Sequence, residues 1–189
     1  MTDVGNERPL PAVNQRDASA VAPSARALAL LLAGHRHYRT EGRPRARTSE
    51  DGFVAAVLSC AEPHVPADVL FGGLDVYAVR TAGLRTGPAV IGSIEYAVDG
   101  LGLPLVVVLG HSGCGLPAGS GPAQVRATAT ALRHGSRLLD AAVTDGRCGL
   151  VGMCWHDEHQ LLSRILPVAV PPQRHPRRRP PSHRTVRRG

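Results

Sequence analysis

Three short apolar runs along the chain have the pattern of buried β-strands. They occupy residues 53–58, 74–79 and 103–109, and each is rich in Val and Leu. Continuous apolar runs of this length are typical of strands that are buried on both faces of a sheet. A fourth run, over residues 148–153, indicates a further strand.

Segments with helical periodicity lie before and between these runs. The first begins at Ser24, which is placed to cap a helix that runs towards Tyr38. The second covers residues 88–99 and has a proline in its first turn, and the third covers residues 123–143. Strands that alternate with helices predict an α/β fold, in which helices flank both faces of a mainly parallel β-sheet.

The chain of 189 residues has room for one domain with terminal extensions. Residues 24–153 carry the periodic signal, and we interpret them as the α/β domain. Residues 1–23 are expected to form a disordered extension. Residues 154–189 are expected to form an irregular tail, because their Pro/Arg-rich part cannot bury enough apolar surface to offset the entropy lost on ordering.

The basic charge of the chain is concentrated in this tail. The formal net charge is +7, but seven arginines lie between residues 171 and 189, and the rest of the chain is nearly neutral. Arginines without interleaved aromatic residues can contact phosphates but carry little base readout. The charge therefore predicts no more than weak, nonspecific and salt-sensitive binding of nucleic acid through the tail. Mutational drift in a segment that has no function explains the arginines more simply.

Two features of the sequence indicate where in the cell the protein is located. No apolar run approaches the ~20 residues that span a bilayer, so no membrane association is expected. The residues before the apolar segment 27–34 mix acidic and basic side chains, unlike the positively charged start of a signal peptide, which predicts a cytoplasmic protein. In a reducing compartment, the four cysteines are expected to be metal ligands, nucleophiles or buried apolar residues rather than disulfides.

Three candidate metal ligands follow the ends of two predicted strands. Cys60 comes just after the first strand, and His111 and Cys114 come just after the third, in a Gly-rich turn. In parallel sheets, ligands bind beyond the carboxyl ends of the strands. If the first and third strands are neighbours, the three side chains meet at one edge of the sheet.

Two thiolates and one imidazole suit zinc, and three protein ligands leave a fourth tetrahedral position for water, as in catalytic zinc sites. Taken alone, the His-x-x-Cys spacing is more often structural, and it is the position of Cys60 that favours a metal site. A zinc ribbon fits worse because the chain has no pair of Cys-x-x-Cys motifs. Cys148 and Cys154 lie on or beside the fourth predicted strand and are interpreted as core residues.

The segments around these residues resemble the sequence of β-class carbonic anhydrases. Residues 60–66 (CAEPHVP) correspond to the family's CSDSRVP segment, and residues 111–115 (HSGCG) correspond to its second zinc half-site. Further matching segments are LAGHRHY at residues 32–38, VRTAG at 79–83 and SIEYA at 93–97. The resemblance covers roughly residues 27–115 and, weakly, residues 136–153.

This resemblance implies a mainly parallel α/β domain that binds one zinc ion per chain and assembles as a homodimer or a higher homo-oligomer. The implied activity is the reversible hydration of carbon dioxide to bicarbonate and a proton by zinc-bound hydroxide. Such a protein is a zinc lyase, and its small-molecule partners are carbon dioxide and bicarbonate.

The chain departs from the family at two catalytic positions. The family orients the zinc-bound hydroxide with an Asp that is held by an Arg, and the matching residues here are Glu62 and His64. Glu62 keeps the carboxylate but has one more methylene group than Asp. This carboxylate could accept a hydrogen bond from the hydroxide, or it could bind the metal and fill the fourth coordination position. His64 cannot reproduce the Arg fork, because it has fewer donors and is largely neutral near pH 7. Alternatively, both are ordinary polar loop residues.

These departures leave more than one function open. The leading hypothesis is a carbonic anhydrase, which could be weak. The second is a zinc protein of the same fold that has lost catalysis, since the segment after Gly115 is also shorter than in the family. A nucleic-acid binder that uses the tail is a third, and an enzyme with Cys60 as a thiol nucleophile is a fourth. The fourth is disfavoured because no His-Asp orienting pair is identifiable near Cys60.

Overall fold

The computed structural model describes residues 21–42, 52–62 and 66–166. The strands in these ranges are β1 (Ala55–Cys60), β2 (Val76–Thr81), β3 (Leu105–His111), β4 (Gly149–His156) and β5 (Leu161–Leu166). The α-helices are α1 (Pro23–Glu41), α2 (Ala67–Leu70), α3 (Pro88–Glu95), α4 (Pro122–Gly135) and α5 (Arg137–Thr144). Turns of 3₁₀-helix follow β2 and β4, and a π-helical turn (Tyr96–Gly100) extends α3.

The strands form one sheet in the order β2-β1-β3-β4-β5. The pairs β2-β1, β1-β3 and β3-β4 are parallel, and β5 is antiparallel to β4. This order confirms the predicted fold class. It also shows that the first and third strands are neighbours, with Ser59 opposite Leu109, so that the carboxyl ends of β1 and β3 lie side by side.

Helices cover both faces of the sheet. One core lies between the sheet and α3, α4 and α5, and the other lies between the sheet and α1 and α2. Every residue of β1 and β3 is buried, as their apolar sequences predict. The prediction that β2 is buried on both faces is wrong: β2 is an edge strand, Tyr77 and Val79 pack against the first core, and Ala78 and Arg80 on the other face are exposed.

The helix boundaries differ from the sequence predictions in two places. The helix predicted over residues 123–143 is two helices, because the first helix ends before Ser136 and the second begins after it. This buried hydroxyl accepts the Leu139 N–H at 3.0 Å and donates to Glu95 Oε1 at 2.6 Å, so Ser136 caps α5 and ties it to α3. Ser24 is not a cap: α1 begins at Pro23 without a side-chain cap, and Ser24 is buried.

The prediction of an irregular tail from residue 154 is wrong for residues 154–166. β4 continues to His156, and β5 pairs with it. Trp155 explains this continuation, because its side chain is buried in the second core. His156 Nε2 and the Ser163 hydroxyl, 2.8 Å apart, add a side-chain hydrogen bond between the two strands. The Arg-rich part of the predicted tail and residues 1–20 of the predicted extension lie outside the described residues.

No helix in the described ranges is both long and apolar enough to cross a membrane. Cys148 and Cys154 are buried in the core, as predicted.

The burial of His35 is expected to make the stability of the fold depend on pH. Burial lowers the pKa of this imidazole, and the positive charge of Arg39 lowers it further, although a hydrogen bond to the Leu70 carbonyl opposes the shift. A histidine with a lowered pKa in the folded state is charged more readily when unfolded, so its contribution to stability is present above the usual pKa of 6.5 and is lost as the pH falls.

We therefore expect the melting temperature to fall between pH 7.5 and pH 5.5, and to fall less in His35→Gln. Thermal unfolding followed by circular dichroism at both pH values measures this. His134→Gln, at an exposed histidine, is the control. An equal pH effect in His35→Gln and the wild type would contradict the prediction.

Candidate metal centre

Four potential metal donors meet at the carboxyl edge of the sheet. Cys60 is the last residue of β1, His111 is the last residue of β3, and Cys114 and Glu62 lie in the loops that follow these strands. Their ligand atoms all lie within 4.8 Å of one another. The structure thus brings together the three metal ligands predicted from the sequence, and it adds the predicted catalytic carboxylate to the same cluster.

The His111 ring is fixed in one tautomer. Its Nδ1 lies 2.9 Å from the Ser112 carbonyl oxygen, which can only accept, so Nδ1 is the donor, and in the neutral ring Nε2 carries the lone pair. Nε2 faces the donor cluster and lies 3.3 Å from Glu62 Oε2. The backbone of His111 is held by Ser120, whose carbonyl accepts the His111 N–H at 3.0 Å. These bonds prepare Nε2 as a ligand atom.

Cys114 lies half-buried in the turn after β3. Burial raises the pKa of this thiol, and the neighbouring Glu62 and Cys60 raise it further, while hydrogen bonds involving Ser120 and Leu116 act in the opposite direction. A cation among these groups would reverse the effect, because it favours the thiolate. The cluster is therefore a poor place for an isolated thiolate and a good place for a metal-bound one.

Glu62 is held at both its side chain and its main chain. The Gly115 N–H donates to Oε1 at 3.0 Å, while the Arg80 guanidinium donates to the Glu62 carbonyl at 2.7 Å and to the Cys60 carbonyl at 3.2 Å. Sequence reasoning missed Arg80. A signal was present, because Arg80 lies in VRTAG (residues 79–83), one of the segments that resemble the family. His64, the other residue of the predicted dyad, lies outside the described residues.

The donor set fits zinc. Two thiols, an imidazole and a carboxylate are all zinc ligands, and four of them within one cluster match its tetrahedral coordination. The same atoms suit calcium or magnesium poorly, because those ions prefer oxygen ligands alone.

A small cleft opens beside the cluster. Its lining includes Cys60 and His111 together with the apolar side chains of Leu70, Leu109 and Trp155. The cleft therefore borders two of the four donors.

Comparisons with known proteins agree on one family. The family profile described as carbonic anhydrase matches residues 55–134. A carbonic anhydrase of Mycolicibacterium smegmatis is 41% identical over 111 residues, which are 57% of this chain and 50% of that protein. Carbonic anhydrase 2 of Mycobacterium tuberculosis is 52% identical over 63 residues, which are 32% of this chain and 30% of that protein. The chain thus spans half or less of these curated relatives.

Two solved structures share the fold. The β-carbonic anhydrase of Coccomyxa, in complex with acetazolamide, aligns with a TM-score of 0.55 and 15% identity over 83% of this chain and 87% of that one. A mutant of the β-carbonic anhydrase CafD of Aspergillus fumigatus aligns with a TM-score of 0.51 and 16% identity over 62% of this chain and 92% of that one. The family profile, the curated relatives and the shared fold thus confirm the resemblance of this chain to β-class carbonic anhydrases.

Proposed function

We propose that this protein is a zinc-dependent carbonic anhydrase, which converts carbon dioxide and water reversibly into bicarbonate and a proton. The observation that carries the proposal is the cluster of Cys60, His111, Cys114 and Glu62 at the carboxyl edge of the sheet. All four lie within residues 55–134, the segment that matches the family profile. The names of the curated relatives support the same activity.

In this proposal, Cys60, His111 and Cys114 hold the metal. Zinc supplies Lewis acidity that lowers the pKa of a bound water. The protein would contribute the orientation of the His111 ring, a small cleft with apolar side chains beside the donors, and Glu62 as an acceptor near the metal. The function requires that Glu62 leaves one coordination position accessible to water.

A second candidate function is a zinc protein of the same fold without turnover. It is favoured by the position of the Glu62 carboxylate, which lies among the other three donors and could complete a closed site. Replacement of the family's Arg by His64 favours it as well, because an imidazole cannot hold a carboxylate with a bidentate fork.

Zinc content and hydration rate separate the two candidates. We expect purified protein to contain about one zinc per chain, in keeping with one tetrahedral site, and to accelerate carbon dioxide hydration in a stopped-flow assay. Zinc-loaded protein without acceleration would support the second candidate. Protein that binds no zinc would refute both.

The double variant Glu62→Asp with His64→Arg is expected to raise the hydration rate. The shorter carboxylate paired with an Arg restores the family's orienting dyad, and because positioning errors near 1 Å cost about 10²-fold in rate, a gain of about 10-fold or more is expected. Stopped-flow kinetics on zinc-loaded protein measure it. Glu158→Asp with His159→Arg makes the same exchanges at exposed residues and should change nothing. No gain in the zinc-loaded double variant would count against an orienting role for these positions.

We further propose that the chain forms a homodimer or a higher homo-oligomer through the β2 edge of the sheet. β2 is an edge strand, and Phe53 and Tyr96 beside it are 45% and 56% exposed. Both rings contact Tyr77 of β2, with centroids 5.7 and 6.3 Å apart, which forms an exposed aromatic surface. Sedimentation equilibrium tests this proposal, and a monomer at micromolar concentration would contradict it.

We also propose a cytoplasmic location. The four cysteines in the sequence are all free in the structure, and the two in the donor cluster can bind zinc only when reduced. Fractionation of the cells that produce the protein tests this, and recovery outside the cytoplasm would contradict it.

A further inference from the structure

Arg80 joins the edge strand β2 to the loop that carries two of the four donors. Its Nε donates to the Cys60 carbonyl at 3.2 Å, and its Nη2 donates to the Glu62 carbonyl at 2.7 Å. One guanidinium therefore holds the main chain on both sides of Ala61. The Ala61 N–H donates in turn to the Thr81 carbonyl at 2.9 Å, so three hydrogen bonds fasten residues 60–62 to the end of β2.

The held main chain determines where the Glu62 side chain can reach. With its carbonyl fixed by Arg80, the carboxylate extends towards the turn after β3, where Oε1 accepts the Gly115 N–H at 3.0 Å. Oε2 then lies 3.3 Å from Nε2 of His111, the atom that faces the cluster. Freeing the main chain of Glu62 would release the carboxylate from this position, because a glutamate has three side-chain torsions of its own.

We propose that Arg80 is a positioning residue that keeps the Glu62 carboxylate among the metal donors by binding the carbonyls of Cys60 and Glu62. This role is distinct from that of the family's Arg, which in the resemblance holds the carboxylate itself and whose position here is taken by His64. Arg80 acts through the main chain instead. The proposal rests on the proposed function in one respect, namely that the cluster binds a metal.

The chemistry of arginine suits this role. Its planar fork can donate from two nitrogens at fixed spacing, and it stays charged well above neutral pH. The residue is exposed, so its hydrogen bonds to neutral carbonyls should add little to global stability. A defect in metal binding without a loss of stability is therefore the signature of a positioning role.

The test is a double-mutant cycle on the affinity for Co(II), which serves as a spectroscopic substitute for zinc. The full chain is stripped of metal and titrated with Co(II) against a competing chelator. Loss of a group that orients the surroundings of a metal from outside the ligand shell typically costs 10- to 100-fold in metal affinity, so Arg80→Met should lower the affinity roughly 10-fold or more. In a Glu62→Gln background, the same substitution should change the affinity by less than about 2-fold, because the carboxylate that Arg80 positions is already gone.

Two further variants and one spectrum make the result specific. Arg80→Lys keeps a single point donor and should give an intermediate loss, and it replaces Arg80→Met in the cycle if that variant fails to fold. Arg85→Met, at an exposed arginine just after the turn that follows β2, is the matched control and should bind Co(II) as the wild type does. The visible d–d bands of Co(II) should change in Arg80→Met and stay unchanged in Arg85→Met.

The outcomes distinguish this proposal from the proposed function. A wild type that binds no Co(II) refutes the proposed function and this proposal with it. If the wild type binds Co(II), two results refute only the role of Arg80. In one, Arg80→Met lowers the affinity equally with and without Glu62; in the other, it lowers the affinity in neither background. A loss confined to the background with Glu62 establishes it.

Discussion

Replacing Cys60 by serine should abolish stoichiometric zinc binding, and carbon dioxide hydration with it. The thiol of Cys60 is one of the four potential donors, and it is 5% exposed at the end of β1. A serine hydroxyl keeps the shape but does not ionise near neutral pH, so the site loses one of its two thiolates. Because changes outside the ligand shell already cost 10- to 100-fold in metal affinity, loss of a ligand should cost at least about 100-fold.

Zinc content after dialysis against a chelator measures this effect, and stopped-flow hydration on the same sample measures the activity. The matched control is Cys148→Ser. Cys148 is also buried, and burial raises the pKa of its thiol to about 11, but it lies in the core just before β4, where its thiol donates to the Gly149 carbonyl. The control should retain zinc. Full zinc content in Cys60→Ser would overturn the assignment of the metal centre.

The part of the site that could be predicted from sequence follows from the sheet. Cys60 and His111 stand at the ends of two fully buried strands, and parallel neighbours place their carboxyl ends at one edge. Both inferences can be made without knowledge of side-chain contacts. A continuous apolar run predicts a buried strand, and its end predicts the position of the next polar side chain.

The rest of the site depends on contacts between residues distant in sequence. Glu62 reaches the cluster because the Gly115 N–H and the Arg80 guanidinium hold it, and these partners lie 53 and 18 residues away along the chain. Periodicity carries no information on such hydrogen bonds. The sequence therefore allowed two roles for Glu62, and only the fold places its carboxylate next to Nε2 of His111.

The errors in the fold also have physical causes. The alternation of exposed and partly buried residues in β2 comes from its edge position, which depends on strand order rather than on local composition. β5 contains no fully buried residue, so it has no apolar run to reveal it. The break between α4 and α5 did carry a signal, because Gly135 followed by Ser136 is a typical helix end and cap, but the apolar stripe on both sides concealed it.

A methyl group at Gly110 is expected to destabilise the fold and the metal centre together. Gly110 precedes His111 in β3, and a Cβ built there would lie 1.9 Å from the Ser120 carbonyl oxygen and 2.5 Å from Val125 Cγ2. The first of these atoms belongs to the backbone and accepts the His111 N–H at 3.0 Å. It cannot move aside without displacing the ligand histidine. Gly110→Ala should lower the free energy of unfolding by about 3 kcal/mol or more, at the upper end of overpacking.

Urea denaturation followed by circular dichroism measures this loss, and zinc content measures the accompanying displacement of His111. Gly92→Ala is the matched control: a Cβ at this position in α3 meets no atom within 4 Å, so the variant should gain up to about 1 kcal/mol from helix propensity. Gly110→Ala with the stability and zinc content of the wild type would mean that the loop carrying Ser120 moves freely. In that case His111 would owe its position to β3 alone, and the support that Ser120 gives to the metal centre would be dispensable.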